Sequence, residues 1–324
     1  MEATISSGSL TPSACRPMPN EKRFIRRALH GFLGLALLFP GSCKPPIDQG
    51  RSWEEFSGAR ALAHVQALVD LGPRPPGSDA IKRARAYIRE NLQATGWEVL
   101  EQPVTRQTPR GAVTFVNLIA RRPNEWFHEG VYLVASHYDT KIFDSIRFVG
   151  ANDGGSSTGA LLELARVLDK HRGLAAQVEL IFFDGEEAYE RFSSTDGLYG
   201  SRYFASQARK AKKTGIYRGG ILLDMVGDRD LTITLPLDSP AKLAQGIFAA
   251  AEALKVRDHF TYYRDDVLDD HSPLNAVGIP VIDLIDFDYP PWHTGADTVD
   301  KLSAQSLQIV GSVTLYYLSE IAFK

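Results

Sequence analysis

The stretch from residue 130 to residue 183, GVYLVASHYDTKIFDSIRFVGANDGGSSTGALLELARVLDKHRGLAAQVELIFF, decides the fold. Its opening GVYLVASH (130–137) is a run of β-branched and aromatic residues at strand length. A Gly- and Ser-rich turn, GANDGGSSTG (150–159), leads into a helix expected over Ser156–His171, and a second strand follows at Val178–Phe183. The same alternation runs outward to the C-terminus. A helix at Tyr199–Lys212 leads to a strand at Gly220–Met225, a helix at Pro240–Val256 to a strand at Pro280–Ile285, and a helix at Ser303–Ile321 closes the chain. Toward the N-terminus, Phe56, Ala59, Leu62, Val65, Leu68 and Val69 recur at helical spacing within 53–71 until GPRPPGS (72–78) stops the helix. A helix at Ala80–Thr95 and strands at WEVLEQPV (97–104) and TFVNLIA (114–120) complete that half. Strands alternating with helices of this length predict a three-layer α/β sandwich with a central mixed, mostly parallel sheet flanked by helices.

The 324 residues are 44% hydrophobic and 23% charged, the composition of an ordinary globular protein. A net charge of -3, spread over mixed positions, lacks the basic stripe that a phosphate backbone demands, so nucleic acid is not an expected partner. The start of the chain differs from the rest. Lys22, Arg23, Arg26 and Arg27 precede an apolar stretch, Ala28 to Pro40, that ends in FPGSCK (39–44). A basic region, a short apolar run and small residues before a cysteine predict an export segment at 1–43, with Cys43 as a lipid-bearing N-terminus and simple secretion as the rival. Met18 is an alternative start, in which case Cys43 is the only cysteine and no disulfide forms. The expected organisation is this segment, a linker at 44–52 and one domain at 53–324, giving an exported bacterial protein, periplasmic or membrane-anchored.

Ligands of such sheets bind beyond the carboxyl ends of the strands, and the acidic and histidine residues gather there. His137 and Asp139 follow one strand, Asp184, Glu186 and Glu187 a second, Asp224 and Asp228 a third, and Asp283, Asp286 and Asp288 a fourth, with His293 soon after. Asp153 sits in the turn before a helix. Each has a bland reading taken singly: an Asp before a helix caps it, and paired glutamates form a solvated face. Several carboxylates at one sheet edge, however, repel unless a cation compensates them. Mixed Asp, Glu and His ligation suits zinc with one coordination position open. Adjacent glutamates can then divide the work, one on the metal and one moving protons, and spacing alone leaves open which does which.

SHYDTK (136–141), FVGANDGGSSTGALLELARVLDK (148–170), FFDGEEAYERFSSTDGLYGSRYFA (182–205), LLDMVGD (222–228) and DDHSPLNAVGIPVIDLIDFDYPPWHTGADTVDKL (269–302) together resemble the zinc-dependent glutaminyl cyclases of animals and bacteria. These share their fold with the zinc aminopeptidases. The resemblance implies a single zinc held by Asp153, Glu187 and His293, with Glu186 as the acid/base residue and Asp224 and Asp269 hydrogen-bonded to it in a network. Trp292 is similar to the tryptophan that lines the glutaminyl pocket. The implied substrates are peptides or proteins with N-terminal glutamine, cyclised to pyroglutamate with release of ammonia, by an enzyme expected to be a monomer. Two positions depart from the pattern: Phe192 stands where the animal cyclases carry a second pocket tryptophan, and Asp283 replaces a histidine. In the rival reading, a two-zinc aminopeptidase, His137 and Asp224 bind a second ion, Asp153 bridges the two and Glu186 activates a water. A peptide-binding lipoprotein with a purely structural metal site is the remaining alternative, and Glu186 argues against it.

Overall fold

The computed structural model describes residues 50–123 and 130–323. The expected export segment, both cysteines and most of the linker lie outside the described residues. The chain runs α1 (Gly58–Asp70), α2 (Asp79–Ala94), β1 (Glu98–Thr108), β2 (Gly111–Arg121), β3 (Val131–His137), α3 (Ser157–Lys170), α4 (Arg172–Ala175), β4 (Val178–Phe183) and α5 (Tyr199–Lys210). It continues through β5 (Tyr217–Asp224), β6 (Ile233–Leu235), α6 (Ala241–Ala253), β7 (Phe260–Tyr262), α7 (His271–Asn275), β8 (Val281–Ile285) and α8 (Ala304–Tyr316).

Local chemistry sets the helix boundaries. Ser57 and Ser78 accept from the backbone N–H groups of Arg60 and Ile81, capping α1 and α2. Each such cap contributes about 1 kcal/mol. Trp53 falls in a short turn ahead of α1, so the expected helix from 53 begins five residues later. Apolar residues of α1, α2, α3, α6 and α8 pack one face of the sheet, while Phe204 of α5 and Leu274 of α7 pack the other.

The eight strands lie in the order β1-β2-β4-β3-β5-β8-β6-β7. The central four, β4-β3-β5-β8, are parallel, and antiparallel pairs join β1 to β2, β2 to β4 and β6 to β8. This is the mixed, mostly parallel sheet that the alternation predicts. The short β6 and β7 have no counterpart in the sequence reading, because three residues are too few to show a period. The parallel register matters for the site. His137 is level with Phe183, and Asp224 with Ile285, so four strands end on one rim.

Candidate active site

The register that sets Ala135 beside Leu222 carries His137 against Asp224, with His137 Nε2 3.2 Å from Asp224 Oδ1. The same nitrogen lies 3.2 Å from Asp153 Oδ1, on the turn before α3. Asp153 is not the helix cap its position suggests: Ser156 occupies that place, and Asp153 has φ -73° and ψ 106°. Gly154 follows at φ +74°, and a Cβ there would stand 2.7 Å from Asp139 O. Only glycine accepts both the left-handed backbone and the close approach. Asp297 braces the turn, accepting the N–H groups of Asn152 (2.8 Å) and Asp153 (3.2 Å) and the Tyr289 hydroxyl (2.8 Å).

Glu186 and Glu187 leave β4 through Gly185, whose φ is +77°. Both of their backbone N–H groups donate to one carboxylate, Asp139, at 3.1 and 3.4 Å. That shared acceptor fixes the two residues relative to each other, and their side chains then part. Glu187 places Oε1 3.1 Å from His293 Nε2 and accepts from Lys141 Nζ on Oε2 at 3.4 Å. Glu186 joins neither of the groups able to hold a metal around Asp153. It is buried and lines the central cavity. Burial, followed by the nearby charges of Asp269 and Glu187, raises its carboxyl well above the usual carboxylate range.

His293 is held in the left-handed region, at φ +54°. A non-glycine residue there costs on the order of 1–3 kcal/mol, which the surrounding packing must offset. Trp292 stacks on its ring at 4.2 Å, and Phe143 and Phe148 present edges at 5.8 Å. Its Nε2 lies 3.3 Å from Asp153 Oδ2. Burial would lower this imidazole, but Asp153 and Glu187 outweigh it and bring its pKa to about 9.

Asp153, Glu187 and His293 offer one ligand atom each within 4.8 Å of one another, and so do His137, Asp153 and Asp224. The donor set fits a zinc ion. Asp153 Oδ2 is buried and makes no well-formed hydrogen bond; its nearest partner is His293 Nε2 at 3.3 Å, itself a candidate ligand, which leaves a lone pair for a cation. The first group lines a cavity of about 310 Å³ together with Phe192, Tyr263, Phe287 and Trp292 and with Glu186 and Asp269. Tyr263, Asp265 and Asp266 of the segment FTYYRDD (260–266) line the site as well.

Not every rim carboxylate belongs here. Asp184 accepts from Val116 N–H (2.8 Å), the Tyr138 hydroxyl (3.2 Å) and Arg85 (3.3 Å), so it ties strands and helix together. Arg85 of α2 is thereby drawn inward. Asp286 accepts from Thr232 and Asp288 N–H groups, and Asp228 and Asp288 line a separate cleft. Sequence reasoning passed over Asp297 and Arg74. Arg74, within GPRPPGS, is fully buried and donates to the carbonyls of Val149 (2.8 Å) and Gly150 (3.0 Å), securing the entry to the Asp153 turn. Nothing in one sequence marks either as an anchor; only their places beside the motifs hint at it.

Fold and site together define a metal-centred α/β enzyme of the zinc aminopeptidase type, and the pattern of peptidase family M28 matches residues 117–318. The chain is 31% identical to the glutaminyl-peptide cyclotransferase of Boiga irregularis, the alignment covering 78% of each. The glutaminyl cyclase of an Acidobacteriales bacterium superposes with a TM-score of 0.76 at 34% identity, over 82% of this chain and 94% of that one. A Zn-dependent exopeptidase from Parabacteroides distasonis superposes at 0.75 with 26% identity, over 82% and 99%. The chain belongs to peptidase family M28 and, within it, to the glutaminyl-peptide cyclotransferases.

Proposed function

We propose that this chain converts the N-terminal glutamine of peptides and proteins to pyroglutamate, releasing ammonia. The observation that carries the reading is Glu186, a buried carboxyl outside both groups around Asp153 that lines a small aromatic-walled cavity beside Asp153, Glu187 and His293. Those three residues would hold one zinc ion. Bound there, zinc supplies Lewis-acid polarisation of a carbonyl oxygen. The chain's own groups do the remaining work. Glu186 takes a proton as the substrate's α-amine attacks its own γ-carboxamide carbon, and returns it to the nitrogen that departs as ammonia. One C–N bond forms and one breaks, so no water is consumed. Trp292, Phe192 and Phe287 enclose a volume suited to one side chain folded back on its amine, which excludes water and holds the reacting atoms together. Asp224 and Asp269 line the same cavity as Glu186, and the charge of Asp269 helps keep the Glu186 carboxyl well above the usual carboxylate range. We also read residues 1–43 as an export signal with Cys43 as a lipid site, and the enzyme as a monomer; among the described residues no helix is long and apolar enough to cross a membrane.

A second reading rests on His137, Asp153 and Asp224, which could hold a second ion for peptide hydrolysis. Incubating purified protein with a Gln-initiated dipeptide and, separately, an aminoacyl-anilide separates the two. Ammonia from the first supports the cyclase; arylamine from the second with two zinc ions per chain overturns it.

A further inference from the structure

Phe192 lines the active-site cavity from a segment without regular structure. Between the end of β4 at Phe183 and the start of α5 at Tyr199 the chain forms neither helix nor strand, and Glu190, Arg191, Ser193, Ser194 and Thr195 are exposed. Such a loop keeps one shape only where its backbone groups are bound. This one is bound at two places. Its end closes on the exit of β4, where the N–H groups of Leu198 and Tyr199 donate to the carbonyls of Glu186 (2.7 Å) and Gly185 (2.8 Å). Its interior closes on a single carboxylate, Asp196, which is buried beside those exposed neighbours. Asp196 Oδ1 accepts the Tyr189 N–H at 2.8 Å and the Tyr199 hydroxyl at 3.0 Å. Its Oδ2 accepts the N–H groups of Glu190 at 2.9 Å and Arg191 at 3.2 Å. Four donors use the full accepting capacity of the carboxylate.

Three consecutive amides, 189 to 191, therefore converge on one side chain and bend the backbone immediately before Phe192. The ring of Phe192 then lies on Gly197, the residue after Asp196: a Cβ there would stand 2.6 Å from Phe192 Cδ1. Only glycine leaves that seat open, and its φ of +85° suits glycine as well. Lys141 Nζ lies 5.8 Å from the same ring and donates to the Ala188 carbonyl at 2.7 Å. The anchor is itself tied to the sheet, because Tyr199 stacks on Phe115 of β2 at 4.4 Å. We propose that Asp196 is a positioning residue: it folds the loop so that Phe192 stands as a wall of the active-site cavity, and thereby sets the grip on the substrate side chain. What that wall grips rests on the proposed function; the anchoring does not. Glu186 and Glu187 are held separately, through Asp139, so releasing the loop should weaken substrate binding and leave proton transfer and zinc in place.

The test uses the full zinc-loaded chain with Asp196→Ala, Asp196→Asn, Phe192→Ala and the double variant of the two alanine changes. On a Gln-initiated dipeptide, Asp196→Ala should raise KM by about fivefold or more, with kcat within about threefold of wild type and zinc content unchanged. Asp196→Asn, which keeps one accepting oxygen, should fall between. Phe192→Ala should raise KM as much, and the double variant should stay within about twofold of it, because both changes remove one wall. A wild-type KM in Asp196→Ala, single effects that multiply in the double variant, or loss of zinc from Asp196→Ala overturns the proposal. Two readouts are independent of turnover. Amide hydrogen exchange at 189–191 should quicken about tenfold or more in Asp196→Ala but not in Phe192→Ala. The indole introduced by Phe192→Trp should be quenched more by acrylamide once Asp196→Ala is added. Unchanged exchange or equal quenching refutes the anchor. Should wild type fail to turn over the dipeptide, the cyclase reading falls while these two measurements still decide whether Asp196 holds the ring.

Discussion

Replacing Asp139 by alanine removes the single carboxylate on which the Glu186–Glu187 pair hangs. Asp139 is fully buried and accepts the Glu186 N–H at 3.1 Å and the Glu187 N–H at 3.4 Å, with His137 Nδ1 3.5 Å away. A hydrogen bond to a charged acceptor contributes about 1.5–3 kcal/mol, and a buried N–H left unpaired costs about 1–3 kcal/mol. The shorter bond counts in full and the longer one, near the limit of useful geometry, counts weakly. Asp139→Ala should therefore destabilise the metal-free protein by about 2–4 kcal/mol. The functional loss is larger in kind, because releasing both amides lets both glutamates drift, and a displacement of about 1 Å at a reacting group costs roughly a hundredfold. Asp139→Asn keeps one accepting oxygen but turns an NH2 toward the other amide, so it should fall between. Urea unfolding of the metal-free proteins measures the first quantity, and kcat/KM on a Gln-initiated dipeptide with saturating zinc measures the second. An alanine variant that unfolds at the wild-type urea concentration and keeps kcat/KM within about twofold would refute the reasoning.

Glu186→Gln should keep fold and metal content but lose about 10²–10⁴-fold in kcat, the usual worth of a general acid/base; near-normal turnover removes it from that role. Alanine at Asp153, Glu187 or His293 should abolish zinc binding, so a full metal complement by elemental analysis counts against the ligand set. Trp292→Ala takes away a ring stacked at 4.2 Å on His293 and should raise KM by about fivefold; an unchanged KM excludes it from the substrate wall. Asp286 offers a pH test away from the metal residues. Mainly through burial, its folded pKa rises from 3.8 to about 7, so the folded state binds more protons than the unfolded one between those values. Its contribution to stability falls as pH rises through that window. Asp286→Asn should flatten that part of the profile, and parallel wild-type and variant curves would contradict it.

Much of this was legible along the chain. The strand at 178–183 and the helix near 157–170 stand out because apolar spacing reports local backbone directly. The carboxylates at strand ends could be expected at one rim because parallel strands share a direction. Less legible was which of them meet. Asp184 and Glu186 lie two residues apart in FFDGEE, yet the first is bound by Arg85 and Tyr138 and the second faces the cavity. Arg74 and Asp297 act by holding backbone groups, a task without a residue pattern of its own.

By itself, then, the sequence determined the alternation of strands and helices, the family blocks and the residue types of a metal site. Periodicity, turn chemistry and donor identity are short-range properties and are written locally. Tertiary structure alone decided that Asp139 carries both glutamate amides, and it is what brings His137 and Asp224 to Asp153 on one side and Glu187 and His293 to it on the other, groups that the family blocks named but that no local pattern explains. It also decided that Asp283, buried in β8, stands beside His271, whose Nδ1 lies 3.6 Å from its Oδ2. These contacts join residues far apart in the chain, and they follow from strand register and helix packing, which are settled only when the whole core closes.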